Sequence, residues 1–95
     1  MIYVKTHKTE EREVVAMCDE DVLGKTFEEG EVILEVSERF YKGKLVDDET
    51  AKDILKNGDI LNLVGKKIVN LALKTGVVSK INIIKIKGIP HAQVI

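Results

Sequence analysis

The chain has 95 residues, of which 44% are hydrophobic and 33% charged, and its formal net charge is −1. That balance excludes an intrinsically disordered chain and predicts one folded domain, residues 1–95, with enough buried surface for a core of its own. A lone cysteine, Cys18, excludes an internal disulfide and a thiolate zinc cage.

Ile2 to Thr6 alternates apolar and polar residues and predicts a strand. His7 to Arg12 is polar and reads as a turn. Val14 to Cys18 is an apolar run of strand length, so the two segments predict an antiparallel hairpin. Asp19-Glu20-Asp21 suits a short helical turn ahead of Val22 and Leu23, stopped by Gly24. Glu31 to Ser37 alternates again and predicts a third strand. Gly43 marks a turn after Phe40-Tyr41. Asp47-Asp48-Glu49-Thr50 is a helix-start signal, and the helix ends at Asn57-Gly58. Asp59 is then expected to cap a second, largely buried helix. Its apolar positions run from Ile60 to Leu73, and Gly76 is its stop. Residues 82–87 predict a strand with Ile84 and Ile86 on one face and Ile83, Lys85 and Lys87 on the other. Gly88 to Pro90 turns the chain into a last strand, 91–95, whose apolar end predicts a docked terminus. The order β-β-β-α-α-β-β predicts an α+β fold, a mixed or antiparallel sheet covered by two helices.

Aromatic residues number four, Tyr3, Phe27, Phe40 and Tyr41, so Val, Ile and Leu must fill the core. Lys and Glu are abundant and Gln occurs once, a bias that fits a heat-adapted protein. No charged, apolar and small-residue leader opens the chain, and no apolar run approaches the ~18 residues that cross a bilayer. A cytoplasmic location without a membrane partner is the expectation. The net charge conceals an asymmetry. Residues 1–59 hold all 16 acids, whereas residues 60–95 hold six lysines and no acid. Either the two halves pack together and cancel, or the lysines share a face that meets phosphates or an acidic protein. With no aromatic base-stacker in that segment, such a face would hold nucleic-acid backbone rather than bases.

Motifs for catalysis fail on mechanism. Gly24-Lys25-Thr26 resembles the end of a phosphate loop, but Asp19 stands where the first glycine belongs, and the acids Glu20 and Asp21 stand in the segment that should cradle phosphate. His7 and Cys18 fall at opposite ends of the predicted hairpin, roughly 15 Å apart at ~3.3 Å per residue, so they cannot share a metal. His91 lacks a partner set, so no metal or cofactor is expected. Cys18 sits in an apolar run that makes a thiol inert, and nothing activates Ser37 or Ser79. Two other patterns remain. Asn62, Lys66, Asn70 and Lys74 are spaced by four and would form one ridge on the second helix, either a solvated face or a cationic contact strip. In Ile89-Pro90-His91-Ala92-Gln93, His91 and Gln93 point to one side of a strand. Beside Lys85 and Lys87 they would hold an anion or a base edge; otherwise they decorate an exposed sheet edge.

Four short motifs, Leu23-Gly24-Lys25-Thr26-Phe27, Phe40-Tyr41-Lys42-Gly43, Asn62-Leu63-Val64-Gly65 and Pro90-His91-Ala92-Gln93, occur in order along the chain. In this they resemble a small archaeal family, domain of unknown function family 424, over essentially the whole sequence. The resemblance implies an archaeal cytosolic protein. The family is uncharacterised, so it transfers no catalytic or ligand residue, but it raises interest in Tyr41, Asn62, His91 and Gln93. Three functions are consistent with these residues. The first is a non-enzymatic binding or adaptor module for RNA or a ribosome-associated protein, using Lys66, Asn70, Lys74 and Lys85. The second is a small enzyme with His91 as acid/base and Gln93 or Tyr41 orienting substrate. The third is a structural homodimer joined through strand 91–95.

Overall fold

The computed structural model of the chain describes residues 1–95. Its alternating N-terminal residues form β1 (Ile2–Lys8), antiparallel to β2 (Glu13–Asp19) with Tyr3 opposite Cys18 and His7 opposite Val14. A single 3-10 turn, Glu20–Val22, follows. The segment expected as one strand is the second arm of a hairpin, β3 (Thr26–Glu29) with β4 (Val32–Glu35), which forms a separate two-stranded sheet. The first arm, Thr-Phe-Glu-Glu, carries one apolar residue and therefore lacks the alternation that would reveal a strand. Ser37 caps the short α1 (Glu38–Tyr41), its hydroxyl oxygen accepting the Phe40 N–H. β5 (Lys44–Val46) then pairs antiparallel with β1. α2 (Asp48–Asn57) begins where the acidic cluster predicted it, and Asp47 accepts the Thr50 N–H at 2.9 Å. That hydrogen bond holds the Asp47 carboxyl below its ordinary range.

Residues 60–75 depart most from expectation. The anticipated long helix is a strand, β6 (Ile60–Val64), then Gly65, then α3 (Lys66–Thr75). Apolar residues that bury both faces of a strand mimic a broad helical stripe, and period alone does not separate the two. Here Leu61 and Leu63 pack under the helices while Val64 packs on the opposite side. The expected ridge therefore breaks: Asn62 belongs to β6, and only Lys66, Asn70 and Lys74 lie on α3. The helix stops at Gly76, as predicted. A second 3-10 turn, Lys80–Asn82, leads into β7 (Ile83–Ile86) and then β8 (Ile89–Val94).

The main sheet is mixed, in the order β5-β1-β2-β6-β8-β7, with β2 and β6 parallel and every other pair antiparallel. A parallel pair needs a long crossover, which residues 20–59 supply. α2 and α3 cover one face, where Leu55 and Ile68 meet Met17, Leu61 and Leu63, all fully buried. Each such side chain contributes about 1.5–3 kcal/mol. On the opposite face Ala16, Cys18, Val64 and Ile86 meet Leu34 of the β3–β4 hairpin, Val36 just after it and Tyr41 of α1. The predicted docked terminus is not found: Ile95 is 90% exposed, one residue past the end of β8. No helix is long and apolar enough to cross a membrane.

Candidate functional site

The sheet divides the eight candidate residues into two groups. On the helical side, Lys66 and Asn70 of α3 face Lys85 of β7 across a cavity of about 420 Å³ floored by Val69, Leu73 and Ile83. Lys74 lies one helical turn beyond Asn70 and is exposed. No acid lines this cavity. Lys67 pairs with Asp48 at 3.0 Å, but Lys66, Lys74, Lys80, Lys85 and Lys87 form no ion pair. One carboxylate reaches the margin, where Glu29 Oε1 accepts the backbone N–H of Lys87 at 2.9 Å.

Tyr41, Asn62, His91 and Gln93 gather on the other side. Asn62 is directly opposite Gln93 across the β6–β8 pair, and His91 is two residues from Gln93 on the same face. The Tyr41 hydroxyl donates to Asn62 Oδ1 at 2.6 Å. Tyr41 is only 3% exposed, and burial pushes its phenol above the ordinary range. Asparagine is depleted in strands; here it supplies the acceptor that a buried hydroxyl needs. His91 Nδ1 lies 3.0 Å from the Leu63 carbonyl oxygen. A carbonyl only accepts, so Nδ1 carries the proton and Nε2 of the neutral ring is an acceptor. The adjacent cavity, about 250 Å³, is lined by Arg12, Val14, Ile60, Asn62, Gln93 and Ile95 among others, but by neither His91 nor Tyr41.

Two expectations about this region are corrected. Lys85 and Lys87 are not beside His91. Lys85 is in register with Pro90 while Ile84 is in register with His91, so the Lys85 side chain leaves the opposite face. Lys87 lies in the β7–β8 turn with φ 53°. Nor is β8 a sheet edge. His91 pairs with both Val64 and Ile84, and Ala92 with both Leu63 and Ile83, so this strand is flanked on both sides.

Sequence reasoning missed one joint altogether. Asp19, 8% exposed at the end of β2, accepts the N–H groups of Lys67 and Ile68 at 2.8 Å each. It caps α3 from a distant part of the chain. Burial pushes its carboxyl above the ordinary range, and the two N–H bonds pull it back. Gly65 makes the approach possible: a Cβ there would lie 2.6 Å from Asp19 Oδ2 and closer still to its carboxyl carbon, and its φ is 124°. The Gly65 N–H donates to the Pro90 carbonyl at 3.0 Å. Asp19 read locally as the start of a helical turn, and nothing within its own segment pointed to α3. Cys18, next to it, is fully buried, and its thiol is pushed up to about 12 by burial and then by Asp19 and Asp21. No group of three or more His, Cys, Asp or Glu is placed to hold a metal ion.

Leu23 and Phe27, Phe40 and Tyr41, and Val64, from the first three sequence motifs, pack in one apolar cluster on the hairpin side of the sheet. The fourth motif joins the third through the Gly65 N–H to the Pro90 carbonyl and the pairing of Asn62 with Gln93. The class this defines is an α+β protein with a mixed six-stranded sheet, two helices on one face and a hairpin on the other. The chain belongs to the DUF424 family, proteins of unknown function, which it matches over residues 6–95. Among solved structures it is similar to an uncharacterized conserved protein from the archaeon Methanopyrus kandleri. The two share 25% identity at a TM-score of 0.77, over 98% of this chain and 89% of that one. No curated protein matches it.

Proposed function

We propose that the protein is a non-enzymatic binding module that grips RNA backbone along the groove between α3 and β7. One observation carries this reading: Lys66, Asn70 and Lys85 line an acid-free cavity, with Lys74 continuing the strip and none of these lysines in an ion pair. An unpaired ammonium on a shallow groove is free to replace a condensed counterion on a phosphate. Asn70 adds a neutral donor between charges, the role polar side chains play in positioning a backbone. The overall charge of −1 does not oppose this, because no acid lines the cavity, and Asp48, Asp19 and Glu29 beside α3 and the β7–β8 turn are engaged by Lys67, the helix-start N–H groups and the Lys87 N–H. Screening acts over ~8 Å at physiological salt, so carboxylates farther away than that weigh little on the strip.

Three phosphate contacts on a single strand give a slope of about −2 in log affinity against log salt. Affinity for a labelled single-stranded RNA should fall about 20-fold between roughly 50 and 200 mM salt. The K66E/K74E/K85E variant should bind weakly and lose most of that slope. Binding by the triple variant at wild-type strength would refute the assignment.

A further inference from the structure

We infer that the Asn62–Gln93–His91 cluster reads an unpaired adenine base of the strand whose backbone lies in the α3–β7 groove. This rests on the RNA-backbone reading above and adds to it a base-specific site on the opposite face. The two sites share one strand pair. Lys85 and Ile84 are consecutive on β7, the last strand of the sheet, and their register partners are Pro90 and His91. A ligand on Lys85 therefore reaches His91 by turning around a single edge strand. Ile84, 53% exposed, forms the shoulder of that turn. A duplex, with a persistence length of about 150 bp, is too stiff to follow this path, whereas a single strand can.

The donors and acceptors are set by the protein. Tyr41 occupies Asn62 Oδ1, so the Asn62 amide turns its NH₂ away from the tyrosine and toward the open face. Leu63 occupies His91 Nδ1, leaving Nε2 as an acceptor. The Gln93 side chain is exposed opposite Asn62 and makes no hydrogen bond within the chain. Carboxamides pair with adenine through its N6 amino group and N7, and a second acceptor such as the imidazole suits the remaining N6 hydrogen. Uracil presents no amino group to that acceptor. Val14 and Ile60 lie beside the amides and offer the apolar floor on which a base ring rests.

The experiment is fluorescence anisotropy at about 50 mM salt with labelled 12-mers of adenylate, of uridylate and of cytidylate, and with an adenylate–uridylate duplex. The wild type should bind the adenylate strand roughly tenfold more tightly than the others, the scale of one bidentate base contact. Asn62→Asp keeps the oxygen that Tyr41 needs but replaces the outward amide with a second oxygen. Gln93→Ala changes an exposed side chain that the fold does not use. Each should bring adenylate down to the uridylate affinity and leave uridylate binding unchanged. Equal binding of all three strands by the wild type, or retained preference in both variants, would overturn the base-reading site while leaving the lysine groove intact. Loss of the groove itself is seen separately, as uridylate binding that K66E/K74E/K85E does not weaken.

Discussion

Gly65→Ala tests the joint between β6 and α3, where a strand end, a helix start and a distant carboxylate meet. Alanine at this position must adopt φ 124° and ψ 154°. That region is essentially restricted to glycine and costs about 2 kcal/mol. The new methyl group must also displace the Asp19 carboxyl, whose Oδ2 would lie 2.6 Å away. Overlap of this kind in a packed site costs about another 2 kcal/mol. Asp19→Ala alone removes the acceptor of two helix-start N–H groups at 2.8 Å, a loss of about 2 kcal/mol at the upper end for caps. Independent effects would sum to about 6 kcal/mol in the double variant. Because the overlap disappears with the carboxyl, the double variant should lose only about 4 kcal/mol, a coupling of about 2 kcal/mol. Urea unfolding followed by circular dichroism measures all four proteins. A Gly65→Ala protein within about 0.5 kcal/mol of wild type, or a double variant that loses the full sum, would refute the account.

Three further outcomes follow from buried groups on the opposite face of the sheet. The Cys18 thiol, at about 12 rather than 9.0, should be roughly a thousandfold poorer in thiolate at about pH 8 than in the unfolded chain. Ellman's reagent should therefore label it only on unfolding, and rapid native labelling would contradict its burial. The unfolded state releases this proton first, so Cys18 lowers stability as pH rises from 9.0 toward about 12. The expected decline is about 2 kcal/mol between about pH 8.5 and about pH 10.5. Cys18→Val should lose less over that interval in urea titrations, while parallel curves would exclude the linkage. Tyr41→Phe strands Asn62 Oδ1 without its 2.6 Å donor and should cost about 1–2 kcal/mol. Combining it with Asn62→Leu should cost less than the sum, and strict additivity in thermal or urea melts would show that the pair is not coupled.

Much of the fold is legible locally. The β1–β2 hairpin follows from alternation, α2 from its acidic start, and the end of α3 from Gly76. β5 and the first arm of the hairpin were hidden because Lys44–Val46 is short and Thr26–Glu29 has one apolar residue. The candidate site was legible in its residue types but not in its grouping. His91 and Gln93 do share a face, as strand periodicity requires. Their supposed neighbours Lys85 and Lys87 do not join them, since register rather than proximity in sequence decides which face a side chain leaves.

By itself the sequence determined the α+β class, the aliphatic core, the concentration of acids in residues 1–59 and of unopposed lysines beyond them, and the family. Those depend on composition and on short-range patterns that persist whatever the partners. Tertiary structure decided that Ile60–Val64 is a strand, because a central position in a sheet buries both of its faces. It decided that Asp19 caps a helix far along the chain and that Gly65 is required for its approach. It also separated Lys66, Asn70, Lys74 and Lys85 from Tyr41, Asn62, His91 and Gln93 by the thickness of the sheet. Each of these depends on which strands are neighbours and in what register, and no local segment carries that information.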